Sequence, residues 1–333
     1  MNKIPAAIIG LGRIASLLEE DTLREKPCTH AGAIRANHDC VLAGGCDTEE
    51  ERRRLFAEKW DVPVYADAPE MIRAQNPQIL VVATHPDSHH FYCSLARASG
   101  VPVVICEKPL ADTLSAARKI VRLAAHGAII TNHERRYSAD YLKAREILMS
   151  EKLGVLLSVR AVLYMGENKR LLDVLWHDGT HLADALMFLS DSVLVHRRRW
   201  GAKLTGYARS NAAGTAWLEA ELRNEKIGTV PVIMEVGAGR DHLVFEMEFS
   251  CAAGRLRIGN GVFEVWESNE SPYAEKFRSL KKTEENFTGP TGYFTNMIAD
   301  AVSCVREPGR QPVSSAADGL AVIEYLNSVE TWR

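Results

Sequence analysis

No apolar run in this chain is long enough to span a bilayer as a helix, no Cys-x-x-Cys pair occurs, and there are no internal repeats or low-complexity segments. The first absence argues against a helical membrane span, and the last two against a solenoid and a disordered linker. Charge of one sign is lacking too. Forty Lys and Arg stand against 43 Asp and Glu, a formal net charge of -3, so there is no electrostatic reason to expect nucleic acid or an anionic membrane as partner. Met1-Asn2-Lys3 leads straight into an apolar run with no signal-peptide pattern, and the expected compartment is the cytoplasm. The seven cysteines, an odd number, argue against a disulfide framework. Six lie in expected strands or helices, as buried thiols do; Cys28 alone falls in an expected loop. What is present suits an ordinary enzyme: 333 residues, 46% hydrophobic and 25% charged, enough for a large core and two domains.

The first third alternates strand and helix. Apolar runs at 4–9, 40–46, 78–83, 101–106 and 128–131 are separated by helical stretches such as 49–59 and 91–99, the pattern of a parallel sheet with right-handed crossovers. One connection, 18–30, is long and polar; beside a ligand crevice such an excursion is either a lid or a solvated surface loop. After about residue 150, strand-like runs at 155–164, 216–222, 229–236, 242–249 and 262–266 are joined by short turns, which implies antiparallel pairing. Helices are expected over 178–189, 293–305 and 316–329. The expected fold is an α/β domain with a parallel, doubly wound sheet over 1–132, then an α+β domain with a large, mostly antiparallel open sheet over 133–333. The C-terminal helix is a candidate to pack back on the first domain.

Three motifs carry the chemistry. Ala6-Ala7-Ile8-Ile9 runs into Gly10-Leu11-Gly12-Arg13-Ile14-Ala15, a glycine turn that lets a backbone approach a pyrophosphate where it opens a helix. Asp47 closes the second strand, where a carboxylate holds the adenosine ribose hydroxyls and repels a 2′-phosphate; the alternative is an N-cap for the next helix. NAD is the expected cofactor, and Arg13 and Arg52, which offset the repulsion, leave NADP open. Glu107-Lys108-Pro109 ends the run 101–106. Open α/β sheets bind ligands just past such strand ends, so Lys108 is expected to face a crevice and a bound dinucleotide.

The third motif is His177-Asp178-Gly179-Thr180-His181, ahead of an apolar helical face. The two histidines share a face if the helix starts by His177; otherwise His181 still lies in its first turn. There the positive end of the helix dipole disfavours imidazolium, which suits a histidine that exchanges a proton near neutral pH. Three readings compete: Asp178 as an N-cap with both histidines exposed, zinc held by the histidines with Asp184, or His181 as an acid/base group. Without the intervening Glu of a zincin or a third ligand in sequence, no metal is expected. Arg135, Arg136 and Tyr137 could reach a substrate carboxylate or phosphate, or form the solvated start of a helix.

Taken together these features resemble the Gfo/Idh/MocA family of nicotinamide-dependent oxidoreductases. The matching signals are Gly10-x-Gly12-x-x-Ala15, Val82-Ala83-Thr84 followed by His89, Glu107-Lys108-Pro109-Leu110, Asn132 to Tyr137, and His181 with Asp184. The resemblance implies a Rossmann domain, then an α/β domain whose open sheet supplies the substrate site and the oligomer contact, so a homodimer or homotetramer is expected. It implies that Lys108 contacts substrate and nicotinamide ribose, and that His181 is the acid/base at the reacting hydroxyl. Expected cofactor contacts are Gly10, Gly12, Arg13, Ile14, Asp47, Thr84, His85, His89, Glu107 and Lys108. Expected substrate contacts are Lys108, Arg136, Tyr164, His177, Asp178 and His181. One departure matters: many sugar- and inositol-oxidising members carry Asp-x-Gly-x-His here, and the aspartate position falls on His177. A neutral His177 orients His181 less strongly, so the substrate is expected to differ from theirs.

The expected function is NAD(H)-dependent oxidation or reduction at a secondary alcohol or ketone of a sugar, cyclitol or related polyol. Alternatives are an NAD-dependent glycoside hydrolase or lyase with an internal redox cycle, and a non-catalytic NAD-binding regulator. Retention of Lys108 and His181 argues against the regulator.

Overall fold

The computed structural model describes residues 3–166, 169–201 and 214–331. The chain forms two compact units, Met1–Ser138 with Pro290–Ile323, and Ala139–Gly289 with Glu324–Arg333.

In the first unit, strands β1 (Ile4–Ile9), β2 (Cys40–Cys46), β3 (Val64–Tyr65), β4 (Ile79–Val82), β5 (Val103–Cys106) and β6 (Ala128–Thr131) form one sheet in the order β3-β2-β1-β4-β5-β6. Every pairing is parallel. A strand covered on both faces needs an unbroken apolar run, and β4 and β5 are buried at every residue. The helices of this half are α1 (His30–Ala36), α2 (Glu50–Trp60), α3 (Ala68–Gln75), α4 (His89–Ala98) and α5 (Leu114–Leu123). The strand order reverses between β1 and β4, which opens a crevice beyond their C-terminal ends.

The expected helix after the glycine turn lasts one turn. Ser16 and Leu18 donate their N–H groups to the Gly12 and Arg13 carbonyls, and the chain then leaves through a short 3-10 turn at Leu17–Glu20. It returns at α1, where His30 and Ala31 donate to the carbonyls of Ile14 and Ala15. The polar excursion is thus spliced into a helix whose hydrogen bonds close across it. It is fastened down: Glu19 accepts from Thr29 Oγ1 and Cys28 N, and Glu25 accepts from Thr291 and Gly292. Gly32 makes room for the first of these, since a Cβ there would come within 2.5 Å of the Glu19 carboxylate. Its tip stands out, with Leu23 96% exposed.

The second unit contains α6 (Ala139–Met149), β7 (Leu156–Gly166), α7 (Gly179–Ser190), β8 (Val193–Gly201), β9 (Gly214–Asn224), β10 (Gly228–Arg240), β11 (Val244–Cys251), β12 (Gly254–Gly259), β13 (Val262–Glu270) and β14 (Arg278–Lys282). Among the described residues its eight strands run β14-β13-β12-β11-β7-β10-β9-β8, antiparallel except for the β7–β10 pair. One face is apolar and buried, with Val230, Val232, Met234 and Val236 of β10 beside Phe245, Met247 and Phe249 of β11. The opposite face is largely polar. That face carries ion pairs between Arg257 and Glu246, Arg255 and Glu248, and Lys282 and Glu264, with Ile233 and Trp217 partly exposed among them.

After β14 the chain returns to the first unit as α8 (Tyr293–Arg306) and ends in α9 (Ala316–Thr331), along which the two units meet in sequence. Phe294, Met297, Ile298, Ala301 and Val302 of α8 complete the apolar core around β1, β4 and β5. The expected boundary at 132/133 therefore moves to 138/139, and residues 290–323 leave the second domain for the first. The physical reason is that one face of the parallel sheet needs this helix to be covered. All seven cysteines are buried, Cys28 included.

Candidate active site

The crevice end of the first unit is built by the ends of five strands, β1, β2, β4, β5 and β6. After β1, Gly10 adopts φ +88°, and a Cβ there would sit 2.6 Å from the Ala83 carbonyl oxygen, so only glycine fits. At Gly12 a Cβ would meet nothing within 4 Å, which leaves the backbone open to approach. Asp47, just past β2 and 7% exposed, ties the turn to its neighbour: Oδ2 accepts Leu11 N at 2.8 Å and Oδ1 accepts Glu49 N at 2.9 Å. Arg52 Nη1 stands 3.6 Å from the same Oδ2. Arg13 is exposed, and Ile14 is half-buried against the core.

Past β4, Thr84 Oγ1 accepts from Ser88 Oγ at 2.7 Å, and His85 is exposed. His89 is fully buried, its ring nitrogens 3.0 Å from the Thr84 carbonyl and 3.2 Å from the Leu110 carbonyl. Burial pushes its pKa down, against the pull of those carbonyls. Neutral imidazole has one N–H, so it serves one carbonyl at a time. His89 therefore links the end of β4 to the segment after Lys108 and does not reach outward.

Past β5, Glu107 points inward. Its carboxylate lies 2.6 Å from His30 Nε2 and accepts from Asn132 Nδ2 at 2.6 Å. Burial pushes the Glu107 pKa up, but the His30 hydrogen bond and charge, the Asn132 bond and the Lys108 charge outweigh it and hold the group below its ordinary value. Lys108 itself is half-buried at the strand end. His30 is the residue that sequence reasoning missed in this cluster. Arg136, beyond β6, is buried and its Nη1 lies 3.0 Å from Asp318 Oδ1 and 3.3 Å from the Val313 carbonyl, so it binds the returning segment.

In the second unit the histidine motif straddles two kinds of helix. Val174–Asp178 forms a π turn that runs into α7 at Gly179, and such wide turns recur at functional sites. His177 is exposed in the π turn and its carbonyl accepts from Thr180 Oγ1 at 2.9 Å. His181 is half-buried in the first turn of α7, while Asp184 is buried. Asp178 makes no capping hydrogen bond; its carboxylate lies 3.7 Å from Lys169 Nζ. Tyr164 of β7 donates to Glu235 at 2.7 Å beneath the Arg240 guanidinium. Trp176 Nε1 donates to Glu330 at 2.9 Å. Among the described residues no group of three His, Cys, Asp or Glu side chains is arranged to hold a metal ion.

A parallel sheet with its order reversed at a glycine turn, an acidic residue closing β2 and a lysine just past β5 are the marks of a Rossmann-type dinucleotide-binding domain. Residues 4–132 match the profile of the Gfo/Idh/MocA oxidoreductases, described as having an NAD-binding Rossmann fold. It is 28% identical over 160 residues to an uncharacterized oxidoreductase of Schizosaccharomyces pombe, a match that spans 46% of this chain and 40% of that protein. It is 24% identical over 341 residues to an inositol 2-dehydrogenase/D-chiro-inositol 3-dehydrogenase of Shouchella clausii, spanning 92% of this chain and 93% of that one. The fold is shared with an oxidoreductase domain protein from Kribbella flavida at a TM-score of 0.79 and 20% identity, covering 99% and 97% of the two chains.

Proposed function

We propose that the protein is an NAD(H)-dependent dehydrogenase or reductase acting on a secondary alcohol or ketone of a sugar, cyclitol or related polyol. The observation that carries this reading is Lys108, placed just past β5 on a sheet whose order reverses between β1 and β4. The glycine turn, open at Gly12 and tied to Asp47, fits the pyrophosphate and adenosine ribose of a dinucleotide. When bound, the nicotinamide exchanges a hydride with the carbon that bears the reacting oxygen. Lys108 stabilises charge developing on that oxygen, and His181 takes or returns its proton. His177 stands where relatives of the family carry an aspartate, and its role is to orient His181 or to take over the proton.

The test is steady-state kinetics across a panel of polyols and sugars, read by NADH absorbance. Lys108→Ala and His181→Ala are each expected to lower kcat about a hundredfold or more while NAD affinity stays close to that of the wild type. His177→Ala is milder if it orients and comparable if it accepts the proton. Near-native kcat in His181→Ala overturns the mechanism.

A further inference from the structure

Arg52, Arg53 and Arg54 follow one another early in α2, directly behind the carboxylate that closes β2. Each is committed differently. Arg54 turns to the surface, where its guanidinium meets Glu51 at 2.8 Å and Glu58 at 2.6 Å. Arg53 Nη1 donates to the carbonyls of Asp47 at 2.8 Å and Thr48 at 2.9 Å, which pins the loop between β2 and α2. Arg52 is the one of the three that reaches the Asp47 carboxylate. Its Nη1 lies 3.6 Å from Oδ2, too far for a hydrogen bond but close enough for attraction, and its Nε lies 3.1 Å from Glu49 Oε2.

Glu49 is the N-cap of α2, yet its side chain makes no capping hydrogen bond. Serine, threonine, aspartate or asparagine is the choice that stabilises a helix start, so the cap does not explain a glutamate here. What its side chain does is hold Arg52. Two carboxylates thus share one guanidinium at the edge of the crevice, and removing either loosens it. Asp47 keeps its place through the N–H groups of Leu11 and Glu49, at 2.8 Å and 2.9 Å, and each of its oxygens retains a further lone pair for a ribose hydroxyl. A 2′-phosphate brought to the same edge meets two negative groups, with Arg52 already engaged.

We propose that Glu49 sets the choice of cofactor: by keeping the Arg52 guanidinium against itself and Asp47, it withholds that cation from the 2′-phosphate of NADP and leaves the site to NAD. The proposal rests on the reading that a nicotinamide dinucleotide binds at the glycine turn. Calorimetric titration of the purified full-length protein with NAD and with NADP tests it without any substrate. Glu49→Gln removes the charge and keeps the length of the side chain, which is 59% exposed and caps nothing, so the variant is expected to fold. In it the Kd for NADP is expected to fall about threefold to tenfold, as an exposed ion pair gives way to one with phosphate, while the Kd for NAD stays within about twofold of wild type. An Arg52→Ala background separates positioning from simple charge. If Glu49 acts by holding Arg52, Glu49→Gln brings no further gain in NADP affinity once Arg52 is alanine. A gain that survives there belongs to the Glu49 charge alone and overturns the proposal. A ratio of the two affinities unchanged in Glu49→Gln overturns it as well. Failure of both dinucleotides to bind wild type and Glu49→Gln overturns the reading beneath the proposal and the proposal with it, and the NAD titration tells this outcome from the other two.

Discussion

Replacing Asp47 by alanine separates what this carboxylate does for the fold from what it does for the cofactor. In the fold it is the acceptor for the N–H of Leu11, a residue 1% exposed, and for that of Glu49. An unpaired buried N–H costs about 1–3 kcal/mol, so Asp47→Ala is expected to lose roughly that much stability, seen as a lower urea midpoint. At the cofactor, charge-assisted bonds to ribose hydroxyls contribute about 1.5–3 kcal/mol, which is about tenfold to hundredfold in Kd for NAD. For NADP the substitution acts the other way. It removes a charge that repels the 2′-phosphate and releases Arg52, now 3.6 Å from the carboxylate, to attract it. The preference for NAD over NADP is therefore expected to fall by about tenfold or more. Asp47→Asn keeps an acceptor without the charge, so it should retain more stability than the alanine variant while still losing preference. Calorimetric titration of both cofactors decides the matter. Equal affinities in the wild type, or a ratio unchanged within about twofold in Asp47→Ala, would refute the reasoning.

The polar excursion is expected to act as a fastener. Glu25 accepts Thr291 N, Thr291 Oγ1 and Gly292 N, each at 2.8 Å, so Glu25→Ala should cost about 1 kcal/mol, a helix-cap value held low by partial exposure. Burial raises the Glu25 pKa, but those three bonds lower it more, leaving it below the ordinary value. Its stabilisation is therefore full above the ordinary carboxylate range and is lost as pH falls through the lowered pKa, and Glu25→Gln should flatten that acid limb; an identical limb in urea midpoints against pH would count against the cap. The charged face of the second sheet, with Ile233 47% exposed on it, is expected to meet a second copy of the chain. Light scattering at micromolar concentration should show at least a dimer, weakened by Ile233→Glu, and a monomeric wild type would remove the basis for this. Because all seven thiols are buried, none should react with an aromatic disulfide reagent under native conditions; rapid reaction of Cys28 would show that its loop opens.

What the sequence made legible was local, and what it hid was the partner at long range. β4 and β5 are unbroken apolar runs that declare a two-sided parallel strand, and the Gly10 turn and Glu107-Lys108-Pro109 announce themselves within a few residues. β3 is two residues long and too short for any period, while β8 and β14 carry so many arginines and lysines that alternation does not show. β12, Gly254–Gly259, was hidden behind the turn that opens it. The π turn has no periodicity of its own, so a helix start at Asp178 was as much as spacing could give. Arg136 shows the same limit at the site. An arginine just past a parallel strand reads as a group awaiting an anion until the segment 290–323 returns and supplies Asp318. Glu107 is the converse case: its place at a crevice suggests a cofactor contact, and only His30, brought alongside by α1 after the excursion, shows that the carboxylate faces the interior. In both, the charged residue was visible in sequence and its direction was not, because direction depends on which opposite or donating group the fold delivers. A motif can name the residue that does chemistry, but the groups that hold it in place are settled by contacts between distant parts of the chain, which is why the supporting residues here emerged only with the structure.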